Sequence, residues 1–169
     1  MKKTILTAAA MLFLSVGAWA QKTMVVDSEK VFKSIAGYNT AITQLDELAK
    51  TYQTKVDEAY DQLETMFNNY QRRKATMSAA QRQETEQKIL KNEQDVQKYQ
   101  EETFGENGTL MKKRIEMLKP YQDKVFKAIG DYAAANGYNI VLDIAANPAV
   151  LYYNPACDMT QKIIEFVKK

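Results

Sequence analysis

Between residues 45 and 70, apolar or small side chains recur at Leu45, Ala49, Tyr52, Val56, Ala59, Leu63, Met66 and Tyr70. The intervals alternate between four and three, the period that keeps one stripe of a helix against a partner helix. No Gly or Pro interrupts residues 39–104. The pattern predicts a helical hairpin over residues 39–119 that turns back near residues 75–78. Its first helix starts at Asn39 or Thr40, either of which can cap it. The return helix opens at Ser78, which forms a capping box with Gln81 three residues on. A helix of roughly 37 residues is about 55 Å long, too long for a compact domain of this size. The hairpin is therefore expected to be an arm.

The return seam is weaker. Ile89, Val96 and Tyr99 fit it, but Thr85, Asn92, Thr103 and Glu106 also fall on it. The half of the arm nearest the tip is expected to be the least rigid. Residues 104–108, FGENG, interrupt the helix, because each glycine costs about 1 kcal/mol against alanine there. The apolar period resumes at Met111, Ile115, Leu118, Gln122, Val125, Ile129 and Tyr132, with Pro120 inside it predicting a kink. This helix is expected to end at Asn136 and Gly137.

The flanks read differently. Residues 22–27 predict a strand, followed by a short helix capped by Asp27 or Ser28 and stopped at Gly37. Residues 139–144 and 149–153 predict two strands of a hairpin, turning at residues 145–148. Asp158, with Gln161, caps a final helix whose Ile163, Ile164 and Val167 face inward. The body thus comprises residues 21–38 and 121–169, and the arm residues 39–120. A body of about 67 residues without a disulfide is too small to hold a strong core alone. Its strands are apolar on both faces, so an obligate oligomer is expected.

Composition narrows the function. Residues 1–20 join a basic start, a short apolar run and a small-x-small end, the pattern of a signal peptide cleaved after Ala20. Removing them leaves equal numbers of basic and acidic residues, so electrostatic work must come from local patches. The chain has no histidine and one cysteine, Cys157, which reads as a buried small side chain. No phosphate loop, nucleophile motif or metal-ligand cluster is visible. The expectation is not an enzyme, with no cofactor, no metal and no catalytic residue. The absence of a broad basic footprint argues against nucleic acid.

The order of elements, together with MVVDSEKVFKSIAGY at residues 24–38, LMKKRIEMLKPYQDKVFKAI at 110–129 and GYNIVLDIAANPAVLYYNPACDMTQKII at 137–164, resembles the Skp/OmpH family of periplasmic chaperones. The FGENG segment followed by MKKR looks like the form in Bacteroidetes members. The resemblance implies an α+β fold in which a long antiparallel helical hairpin, a coiled-coil arm, projects from a small β-containing trimerisation body. It implies an ATP-independent periplasmic holdase: a homotrimer that binds unfolded outer-membrane β-barrel proteins between its arms and prevents their aggregation. A structural coiled-coil spacer or tether of the cell envelope is the alternative.

Three groups of residues are candidates. Tyr60, Phe67, Met77 and Phe104 are expected to contact clients. Tyr60 and Phe67 stand one position off the seam, which suits either a client surface or a wide helix–helix contact. Arg72, Arg73, Lys74 and Arg82 make a basic tip in a stretch, residues 65–83, that has no acidic residue. The tip suits anionic lipid or lipopolysaccharide, or is a solvated turn with cations placed by the helix dipole. Val25, Val26, Val141, Leu142, Ile144, Val150, Leu151, Tyr152 and Tyr153 are expected to build the oligomeric body.

Overall fold

The computed structural model describes residues 22–145 and 149–168. The expected signal peptide and most of the turn at residues 145–148 lie outside them. In chain order the elements are β1 (Thr23–Val26), α1 (Ser28–Lys33), α2 (Ala36–Arg73), a short 3-10 turn (Lys74–Thr76), α3 (Ala79–Phe104), α4 (Thr109–Ala135), β2 (Ile140–Asp143), a second 3-10 turn (Pro155–Cys157) and α5 (Thr160–Val167). The fold is mostly helical with one small sheet. No helix among the described residues is long and apolar enough to cross a membrane. Two compact units are present: the described residues up to Val31 with those from Phe126 onward, and Phe32–Val125.

The larger unit is the hairpin. Its antiparallel register is fixed by contacts whose residue numbers add to nearly the same value. Tyr70 donates to Glu86, the Asn92 amide lies 3.0 Å from the Met66 sulfur, the Tyr60 hydroxyl is 3.3 Å from Gln100 Oε1, and Tyr52 meets Phe104 edge-on. Every expected seam position from Leu45 to Tyr70 is buried or half-buried. On α3, Val96 and Thr103 are buried, while Asn92 is exposed, so the seam is polar at mid-arm. Near the start of α2, Ala41 and Leu45 pack on Leu118, with Tyr38, Ile42, Met117 and Tyr121 around them.

The turn forms as the sequence predicts. Ser78 Oγ accepts from the Gln81 amide at 3.3 Å, and Gln81 Oε1 accepts from the Ser78 amide at 2.9 Å. Replacing Ser78 with alanine should cost about 1 kcal/mol. Hydrogen exchange should read this as faster exchange confined to the first turn of α3.

Three local expectations need correction. α2 begins at Ala36, not at Asn39 or Thr40, and its cap position Ile35 makes no side-chain cap. The Asn39 amide instead donates to the Lys33 carbonyl at 2.8 Å, closing the end of α1. Gly37 does not stop α1. It lies inside α2, where a Cβ would come within 2.7 Å of the Tyr121 hydroxyl, so its bareness admits that ring. Met111 and Ile115 are exposed, whereas Leu110 and Met117 are half-buried. The FGENG turn closes tightly on itself: the Gly108 amide donates to the Gly105 carbonyl at 2.8 Å and Thr109 Oγ1 to the Glu102 carbonyl at 3.3 Å. The first turns of the helix after it therefore cover Leu110 rather than Met111, while Leu118 and Val125 are buried as the period expects. Pro120 sits inside an unbroken α4.

The smaller unit is a parallel pair of strands with a helix. β1 and β2 align Thr23 with Ile140 and Val26 with Asp143. Asp143 ties the pair to α1: its carboxylate accepts from the Ser28 amide at 3.2 Å and from Ser28 Oγ at 2.5 Å. α5 buries Thr160, Ile163 and Val167, and Thr160 Oγ1 accepts from the Asp27 amide at 2.9 Å. Asp158 accepts from the Thr160 amide at 2.9 Å, but the cap position itself is Met159, which makes no side-chain cap. α4 ends at Ala135, and Gly137 takes the left-handed conformation, φ 69°, as helix-terminating glycines do. The expected strand hairpin does not form. The described residues from Ala149 to Asn154 make no strand, and β2 pairs with β1 instead. Cys157 is half-exposed rather than buried.

Candidate functional site

Arg72, Arg73, Lys74 and Arg82 are all exposed around the turn. The Arg72 Nε–H donates to the Asn68 carbonyl at 3.4 Å, and the Lys74 ammonium lies 5.4 Å from the centre of the Tyr70 ring. Beneath it, Tyr70 is buried. The Glu86 carboxylate accepting from its hydroxyl, aided by burial, holds the phenol above its ordinary range. Tyr70 is thus a neutral donor that ties α2 to α3 just below the tip.

The four expected contact residues divide. Tyr60 is 41% exposed and Phe67 47% exposed, on a stretch of α2 where their seam neighbours Ala59 and Met66 are half-buried. Met77 is half-buried in the turn and lines a small cleft with Met66, Tyr70 and Thr85. Phe104 is half-buried against Tyr52, so much of its face is already used by the helix pair. On the paired stretch of α2 and α3, Leu90 is 54% exposed as well, though not among the expected contacts. It follows the seam position Ile89 as Tyr60 follows Ala59, and that displacement was the available signal.

In the smaller unit, Val25 and Val26 are buried. Val141, Leu142, Ile144, Val150 and Tyr153 are half-buried. Leu151 and Tyr152 stand 93% and 83% exposed. Phe126, which follows the seam position Val125, and Ile140, in the expected strand 139–144, are exposed as well. Phe126, Ile129, Val26 and Val141 line an open apolar cleft with Ser28 and Asp143 at one end.

Comparison with known proteins agrees with this arrangement. The family model described as outer membrane protein (OmpH-like) matches residues 22–167. A chaperone protein Skp from Yersinia enterocolitica is 29% identical, over 99% of this chain and 100% of its own. One from Photorhabdus laumondii is 28% identical, over 98% and 99%. The crystal structure of an OmpH-like protein from Caulobacter crescentus superposes with a TM-score of 0.66 at 13% identity, over 86% of this chain and 83% of that one; at that identity it speaks for the fold. With its helical hairpin, its small sheet and a match spanning almost every described residue, the chain belongs to the OmpH-like outer membrane protein family.

Proposed function

We propose that the chain is an ATP-independent holdase chaperone of the periplasm. Unfolded outer-membrane β-barrel proteins are held between the helical hairpins of a homotrimer and kept from aggregating. No step of this work is enzymatic. Whole-length similarity to proteins called Skp chaperones supports the role. The observation that carries it is the set of aromatic and aliphatic side chains left exposed on the hairpin at Tyr60, Phe67 and Leu90. Such side chains can bind many unfolded sequences by shape-tolerant apolar contact. A rigid spacer would gain from an unbroken apolar seam, whereas this one is polar at Asn92 and Thr85.

Self-association is the second part of the proposal. A two-stranded parallel sheet is marginal alone and needs both faces covered. Leu151, Tyr152, Phe126 and Ile140 offer apolar surface that further copies would bury, together with Val141, Leu142 and Ile144. The basic tip suits the phosphates of lipid or lipopolysaccharide.

Two measurements test this. A urea-denatured outer-membrane barrel protein is diluted into buffer with excess purified chain. Light scattering is expected to fall; unchanged scattering overturns the holdase reading. The mass of the chain in solution is expected to be that of three copies, and Leu151→Ser with Tyr152→Ser should lower it. A folded single copy at micromolar concentration would refute the trimer.

A further inference from the structure

The hairpin has two unlike sides. In an antiparallel helix pair, the residue after each seam position lies on the same side for both helices, because their senses of rotation oppose along the common axis. Tyr60 follows Ala59 and Gln100 follows Tyr99, and these two side chains meet across the pair. Phe67 follows Met66 and Leu90 follows Ile89. The Met66–Asn92 and Tyr70–Glu86 contacts set them at nearly one level. This side therefore carries the exposed Tyr60, Phe67 and Leu90.

Its charges are of one sign. Asp57, Glu64 and Glu93 also follow seam positions, and between residues 57 and 104 no Lys or Arg does. Asp57 is approached by the Gln53 amide at 2.8 Å and Glu64 by the Asn68 amide at 3.5 Å, both neutral. The residues that precede seam positions make the other side. There the ion pairs Lys88–Glu84, Lys91–Asp95 and Lys98–Glu102 run along α3. One side is balanced by ion pairs; the other joins apolar surface to carboxylates that form no ion pair among the described residues.

We infer that the side bearing Tyr60, Phe67 and Leu90 selects client segments that mix apolar side chains with Lys or Arg. The inference rests on the holdase reading and adds a charge preference to it. Apolar client groups cover the two rings and Leu90, and client cations answer Asp57, Glu64 and Glu93. A segment with carboxylates in those places meets like charge, which costs more once water is displaced. Exposed apolar area supplies affinity for any unfolded chain, and the carboxylates supply the discrimination.

Two labelled peptides of equal apolar content, one with lysines and one with glutamates between the apolar residues, test this by fluorescence anisotropy with the purified chain. The lysine peptide should bind on the order of tenfold tighter at low salt, and the gap should narrow in about 0.5 M salt as screening shortens. Glu64→Lys with Glu93→Lys should reverse the order, and Glu64→Gln with Glu93→Gln should erase it. Lys88→Glu with Lys91→Glu, on the opposite side, should leave it unchanged. Equal affinities, or an order indifferent to residues 64 and 93, would overturn the selection while suppressed scattering left the holdase standing. If Tyr60→Ser with Phe67→Ser lowers the mass of the assembly, this side packs on another copy and the inference falls.

Discussion

Replacing Ile163 with alanine is expected to destabilise the smaller unit by about 3 kcal/mol, within the usual range for truncating a buried isoleucine. Ile163 is fully buried on α5, between Thr160 and Val167, which are buried on the same face. The strand beneath, β1, contributes Met24, Val25 and Val26, all buried, and Val25 accepts from the Met159 amide at 3.0 Å just ahead of the helix. The core is small, so little surrounding material can relax into the space left by a missing side chain. A unit of this size holds only about 3–5 kcal/mol, and the substitution removes most of it. Urea unfolding followed by far-UV circular dichroism should show an early transition absent from the parent chain. Lys162→Ala, exposed on the same helix, should shift stability by less than about 0.5 kcal/mol. An unchanged midpoint for Ile163→Ala would show that this residue does not anchor the core.

Two glycines are expected to respond oppositely to alanine. At Gly108 an added Cβ would stand 2.6 Å from the Thr103 carbonyl oxygen and 2.8 Å from its carbon. Those are backbone atoms of a buried residue, so they cannot swing aside. Gly108→Ala must reopen the turn between α3 and α4, at a cost of about 2–3 kcal/mol, as for other forced overpacking. At Gly130, inside α4, a Cβ would meet nothing within 4 Å. Gly130→Ala should stabilise by about 0.5–1 kcal/mol, since alanine restricts the unfolded chain and suits the helix. Thermal unfolding of the two variants should move the midpoint in opposite directions. A neutral Gly108→Ala would show that the FGENG turn has room to open.

What could be read in advance divides along the range of the interactions. The hairpin was legible because its signals are local: a seam repeated every three or four residues, and a Ser78–Gln81 box that needs only four residues to recognise. The polar seam positions were legible too, since Asn92 and Thr85 break the apolar repeat visibly. The start of α2 was misjudged because Asn39, a good cap by type, is used on the carbonyl of the preceding helix. The phase of α4 was misjudged at Met111 and Ile115 because a closed turn, not a plain insertion, separates it from α3. The pairing of β1 with β2 joins residues more than a hundred positions apart, so nothing near either strand announces it. Residues 149–153 carry the composition of a strand but form none. Of the candidate surface, Tyr60 and Phe67 were found by their displacement from the seam, and the same rule applied to α3 would have found Leu90.

The pairing of Thr23 with Ile140 also sets an order of events during synthesis. β1 leaves the ribosome before any of the hairpin, yet its partner β2 is made after the whole hairpin is complete. The arm can wind up from contacts between near neighbours while the first strand still waits, with Met24, Val25 and Val26 uncovered. The sheet closes last, and a chain interrupted before residue 143 would carry a finished arm on an open end.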